Sequence, residues 1–136
     1  MLAKLLVDFG LVILIWMTQL ITYPSFTKMN EESLSDWHAS YTTRISILVM
    51  PLMIGQIGLH IYGLMQSVQV LQIVALVLVI LTWANTFLFA VPLHNQIAVG
   101  QQISKSARKL VSVNAWRTGL WTIVFIIDLL LYIQIS

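Results

Sequence analysis

Residues 68–91 read VQVLQIVALVLVILTWANTFLFAV, with no Asp, Glu, Lys or Arg among them. A helix needs about 20 largely apolar residues to cross the hydrocarbon core of a bilayer. This stretch meets that length, and so do or nearly do 5–22, 43–65 and 116–135. Backbone polar groups in hydrocarbon must be satisfied within the protein, which favours helices. The four runs therefore predict an all-α membrane protein, a four-helix up-down bundle forming a single domain over 1–136. The connection between the second and third runs, at Gln66-Ser67, is tight enough to make them antiparallel neighbours.

Composition agrees. The chain has 136 residues with seven Lys or Arg and five Asp or Glu, 9% charged against about 25% in soluble domains. A surface so poor in charge argues against a soluble domain, disorder and a basic nucleic-acid-binding patch. The chain contains no cysteine, which excludes disulfides, zinc–thiolate sites, iron–sulfur clusters and thiol catalysis. The first run contains Asp8 and ends in Thr22-Tyr23-Pro24 with no small-x-small cleavage pattern, so it reads as a retained helix rather than a signal peptide.

The loops are unequal. Residues 23–42 and 92–115 form long polar connections. Asn30 ahead of Glu31 and Glu32 is a helix start, with a weaker Ser33-x-x-Asp36 capping pattern. The second helix is thus expected to begin near residue 30, and residues 104–113 are compatible with a short surface helix. Pro24 and Pro92 read as helix stops. Pro51 is expected to kink the second span, and Gly55 and Gly58 beyond it to pack closely on a neighbour. Lys28, Arg44, Lys105, Arg108, Lys109 and Arg117 fall on the side of the long loops, and Lys4 alone on the other. The positive-inside rule places the loops in the cytoplasm and both termini outside.

Polar groups in an apolar bundle are costly and mark function by default. An inner set gathers where the spans meet the long loops. It comprises Gln19 and Tyr23; Trp37, His38, Tyr41 and Arg44; Asn85, His94 and Asn95; and Asn114, Arg117 and Trp121. Taken singly, these residues also fit interfacial anchoring and snorkelling; two His and two Arg arriving from different segments are less expected. His38, His94, Arg44 and Arg117 are the candidate catalytic groups and the others candidate ligand contacts. An outer set comprises Asp8, His60 and Asp128. Asp8 is expected to pair with Lys4 at i, i+4, and Asp128 to need a partner such as His60. The apolar middles of spans one and four argue against an open channel.

Two imidazoles can ligate haem or a metal, and His38 with His94 is the paired candidate. No His-x-x-x-His or Glu-x-x-His spacing supports a di-metal carboxylate site. Arg44 and Arg117 can clamp a carboxylate, phosphate or enolate oxygen, while Trp and Tyr line a flat apolar ligand. A His base, an Arg for the developing anion and a greasy pocket suit oxidation of an aromatic substrate.

The pieces Trp16-x-x-Gln19-x-x-x-Tyr23-Pro24, Trp37-His38-x-x-Tyr41-x-x-Arg44, Val91-Pro92-Leu93-His94-Asn95 and Asn114-x-Trp116-Arg117-Thr118 resemble an uncharacterised family of small bacterial four-span membrane proteins over nearly the whole chain. The architecture is more distantly similar to anthrone-oxygenase-like proteins, which act without an evident cofactor on polycyclic phenols. It is also similar to four-span haem-containing protoporphyrinogen oxidases, although the first span here has no His to serve as an axial ligand. The resemblance implies a shared site in the inner set and a multi-pass protein of the bacterial cytoplasmic membrane. The leading expectation is a membrane protein that binds or oxidises a small apolar, aromatic or anionic ligand, oxygenase-like if an enzyme. The alternatives are a structural or accessory subunit docking through the small residues of span two, and an oligomeric transporter component. The expected partners are the lipid bilayer, that ligand and further copies of the chain.

Overall fold

The computed structural model describes residues 1–135, and every regular element among them is helical. Four helices are long and apolar enough to cross a membrane: α1 (Leu2–Phe26), α2 (Glu31–Gln66), α3 (Val70–Ala98) and α4 (Ile103–Ile135). The architecture is that of a multi-pass membrane protein. The helices close in a ring, α1 packing on α2 and α4, and α3 likewise on α2 and α4. One end of the bundle carries both termini and the α2–α3 turn. The other end, the loop end, carries the α1–α2 and α3–α4 connections.

The helices outrun the apolar runs at the loop end. Asn30, extended at φ −68 and ψ 159, accepts the Ser33 amide at 2.8 Å and opens α2. Glu31 then reaches across the bundle and accepts the Ser104 amide at 3.3 Å and its hydroxyl at 2.6 Å. A carboxylate on free amides at the positive end of α4 is well placed. Residues 104–113, compatible from the sequence with a short surface helix leading into span four, are the first turns of an unbroken α4. The α3–α4 turn closes on Gly100 at φ 72, with Gly100 N–H donating to Ile97 O at 3.1 Å and Gln101 N–H to Gln96 O at 2.8 Å. These are the paired bonds of a Schellman stop, which glycine makes without steric cost.

Pro24 and Pro92 do not stop their helices. Each follows a π-helical stretch, Thr18–Thr22 in α1 and Thr86–Ala90 in α3, and helix continues on the far side to Phe26 and Ala98. A proline ring collides with the carbonyl four residues back and supplies no N–H. Widening the preceding turn accommodates both defects. Threonine hydroxyls take up carbonyls beside these wide turns: Thr18 Oγ1 donates to Leu14 O at 2.8 Å and Thr86 Oγ1 to Thr82 O at 2.7 Å. Helix α2 likewise runs through Pro51.

Three buried clusters stack along the axis. Tyr23, Phe26, Leu34, Leu93, Ile97 and Leu110 pack at the loop end, Leu11, Ile15, Met53 and Trp121 in the middle, and Ala75, Ile127 and Leu131 towards the termini. Gly55 and Gly58, expected against a neighbouring helix, have open space where a Cβ would stand. Their side of α2 faces outward, and Gly10 of α1 makes the close approach instead, with Leu52 Cδ1 3.7 Å from its Cβ position.

Candidate functional site

The inner residues converge on a cavity of about 280 Å³ at the loop end, walled by all four helices. Their placement follows from the two wide turns. The π stretch of α1 precedes Tyr23 and that of α3 precedes His94, and both residues turn inward. Tyr23 Oη lies 2.9 Å from His94 Nε2, and His94 Nδ1 lies 2.8 Å from His38 Nε2. A phenol and two imidazoles from three helices thus form one hydrogen-bonded chain. His38 Nδ1, at its far end, is buried without a partner.

Arg117 of α4 supplies the charge. It is 7% exposed and lines the cavity, with its guanidinium carbon 5.1 Å from the centroid of the Trp121 ring. The Tyr23 and Tyr41 hydroxyls lie within its electrostatic reach. Among the described residues no carboxylate pairs with it, and its Nε has no hydrogen-bond partner. A buried arginine almost always has an anionic partner, because desolvating the charge costs several kcal/mol. Below Arg117, buried Trp121 and Met53 floor the cavity. Its rim includes exposed Ser46 of α2 and Phe87, Val91 and Asn95 of α3. The cavity therefore opens sideways, between α2 and α3.

Of the expected inner set, Tyr23, His38, Tyr41, His94, Asn95, Arg117 and Trp121 line this space. Gln19 and Asn114 stand behind it: Asn114 Nδ2 donates to Gln19 Oε1 at 2.9 Å and reaches Ile15 O at 3.5 Å, tying α4 to the wide turn of α1. Arg44, Trp37 and Asn85 are not among the lining residues, a correction to the expected set. Arg44 and Trp37 are exposed. Steps of three residues fall about 60° short of a full turn on a 3.6-residue helix, so Arg44 has rotated about 120° away from His38. Asn85 is half-buried just before the α3 wide turn, its Oδ1 without a partner.

His38 and His94 do not bracket a metal or haem iron. Their facing nitrogens, 2.8 Å apart, hold a hydrogen bond, whereas axial ligands on opposite faces of an iron stand roughly twice a 2 Å metal–nitrogen bond apart.

The outer set forms a second polar cluster. His60 Nε2 lies 3.2 Å from Asp128 Oδ2 and 3.6 Å from Asp8 Oδ2, and all three residues are at most 2% exposed. Lys4, expected on Asp8, pairs with Asp128 Oδ1 at 2.6 Å instead. Asp8 Oδ1 accepts from Gln56 Nε2 at 2.7 Å, and Gln56 Oε1 accepts from Trp121 Nε1 at 3.0 Å. Both carboxylates thus have partners on other helices, which an i, i+4 surface pair does not need. Thr18, which lines the cavity, is not among the residues expected from the sequence, and Lys4 is expected only as a partner of Asp8. The signal available for the wide turns was a repeated Thr-x-x-x-x-x-Pro spacing, Thr18 to Pro24 and Thr86 to Pro92.

No protein-family model, curated protein or solved structure matches the chain.

Proposed function

We propose that this bundle binds a small amphipathic anion, its oxygen-bearing head on Arg117 and its apolar body leaving through the gap between α2 and α3. The observation that carries this reading is the buried guanidinium, without a carboxylate partner among the described residues, on a cavity that opens to the side. Arginine donors fit carboxylate, phosphate, sulfonate and phenolate oxygens alike. Tyr23, Tyr41 and the His38–His94 pair add neutral groups around the head, and the rest of the lining is mostly aliphatic and aromatic, as ligand pockets are. A side opening at bundle depth admits a molecule dissolved in the bilayer. The Tyr–His–His chain offers a base beside the anion site, so oxidation or proton abstraction on a phenolic ligand is compatible with the same geometry.

The test is binding of decanesulfonate, a permanently charged probe, compared with uncharged decanol, to protein in nanodiscs. Decanesulfonate is expected to bind more tightly than decanol. Arg117→Gln is expected to weaken the sulfonate about 10- to 100-fold, the scale of a lost charge-assisted hydrogen bond, and to leave decanol unchanged. Equal affinity of wild type and Arg117→Gln for the sulfonate refutes the reading. Mass spectrometry of the extract from gently purified protein then identifies the natural ligand.

A further inference from the structure

We infer that Asp8, His60 and Asp128 form a buried proton-binding site whose occupancy is linked, through Gln56 and Trp121, to the anion pocket at the other end of the bundle.

The geometry fixes which atoms hold the proton. An indole N–H only donates, so Trp121 Nε1 settles the orientation of the Gln56 amide: its oxygen faces Trp121 and its nitrogen faces Asp8. Asp8 Oδ1 is therefore an acceptor. An ammonium also only donates, so Lys4 makes Asp128 Oδ1 an acceptor. One oxygen of each carboxylate is thus already engaged. The other two, Asp8 Oδ2 and Asp128 Oδ2, face His60 Nε2, and none of these three buried atoms has a hydrogen-bond partner. A proton on Nε2 serves both oxygens. Without one, three lone-pair atoms from α1, α2 and α4 point at each other in an apolar interior.

Charge counting requires one proton more than a neutral ring supplies. Ionised Asp8 and Asp128 against charged Lys4 leave one net negative charge, which is expensive among aliphatic side chains. The cluster is neutral when the imidazole is doubly protonated, or when one carboxyl carries the proton. A divalent metal in the same place leaves one positive charge in excess. Among the described residues the other titratable groups at this end are exposed Tyr62, half-buried Tyr132 one turn beyond Asp128, and the exposed N-terminus; α3 contributes only buried Gln72.

Trp121 belongs to both sites. Its indole N–H holds Gln56, and its ring lies against Arg117 on the cavity floor. An anion arriving on Arg117 adds negative charge to a low-dielectric bundle and favours protonation of the cluster. By linkage, protonation tightens the anion. The linkage rests on the proposed pocket; the proton site does not.

Two measurements separate them. The first is the ¹⁵N spectrum of His60 in nanodiscs without added ligand. Wild type is expected to show a cluster proton, as imidazolium or with a protonated carboxyl in the infrared. Asp8→Asn, which removes one negative charge and leaves Lys4 and Asp128 balanced, is expected to show a neutral ring and no protonated carboxyl. Neither signal in wild type, an unchanged proton in Asp8→Asn, or a stoichiometric metal by elemental analysis overturns the proton site.

The second is calorimetry of decanesulfonate binding in buffers of different ionisation enthalpy. Wild type is expected to take up as much as about one proton per ligand, with affinity falling up to tenfold per pH unit as the cluster deprotonates. Asp8→Asn is expected to bind with uptake lost. Uptake persisting in Asp8→Asn assigns the proton to His38 or His94 and overturns the linkage. If decanesulfonate does not bind at all, the pocket reading and the linkage fail together, and the spectrum of His60 still decides the proton site.

Discussion

Arg117 and Lys4 are both cations buried in an apolar bundle, and they make opposite predictions. Arg117 has no carboxylate. Its desolvation costs several kcal/mol, and the contact with Trp121 returns about 0.5–2 kcal/mol. Arg117→Met is therefore expected to leave the ligand-free protein as stable as wild type or to raise its Tm by a few degrees, measured by thermal unfolding in detergent. A clear loss of stability means that Arg117 is a structural residue. Lys4 is the reverse case, 2.6 Å from a fully buried Asp128. Lys4→Met strands that carboxylate and is expected to cost about 3–5 kcal/mol, and adding Asp128→Leu is expected to restore most of it. If the double variant is as unstable as the single one, the pair is not what Lys4 contributes. The sequence made both ends of the bundle visible, because Asp, His and Arg are rare in apolar runs. It did not separate Arg44 from Arg117. Each stands three residues beyond another inner-set residue, Arg44 beyond Tyr41 and Arg117 beyond Asn114, and only the rotation of each helix turns one outward and the other inward.

At the scale of the helix, length and start were legible and the interior defects were not. Asn30 with its two following acids marked the opening of α2 correctly, since capping is a local interaction between neighbours in sequence. Pro24 and Pro92 misled, because proline's local effect is to end a helix, and here the wide turn ahead of each relieves the clash. Wide turns of this kind act as one-residue insertions and recur at functional sites. They set Tyr23 and His94 on the cavity face. The consequence is testable in α3. Deleting Leu88 from the wide turn, with Pro92→Ala to remove the clash, is expected to leave a regular helix with His94 still facing His38, and a Tm within a few degrees of wild type. Deleting Leu78 from the regular part of α3 rotates everything beyond it by about 100° and is expected to abolish folding into a monodisperse species on size exclusion. Equal damage from both deletions refutes the account of the wide turn.

For the whole molecule, four apolar runs and short connections were enough to read the up-down ring, because hydrocarbon allows few alternatives. The cavity was not readable, since it lies where four helices fail to fill the space between them, and no segment encodes that alone. Orientation is a property of the molecule in its bilayer. Lys28, Lys105, Arg108 and Lys109 crowd the loop end and are exposed, while Lys4 at the opposite end is buried in an ion pair and offers the membrane surface no free charge. Arg117 is buried too, so among the described residues the exposed basic side chains all stand at the loop end, and the asymmetry of the sequence count is kept. By the positive-inside rule the loop end is expected in the cytoplasm, with the proposed anion pocket on that side and the proposed proton site near the outer face. Because the natural chain lacks cysteine, single replacements report topology directly. Lys28→Cys and Lys105→Cys are expected to resist a membrane-impermeant maleimide in whole cells and to react after permeabilisation, and Ser67→Cys in the α2–α3 turn to react in whole cells. The opposite pattern inverts the bundle and puts the proton site on the cytoplasmic face. Labelling of all three in whole cells means that two orientations coexist. In either case a proton reaching the cluster and an anion entering between α2 and α3 approach from different phases, one aqueous and one lipid. The proposed linkage therefore needs no open channel joining the two sites.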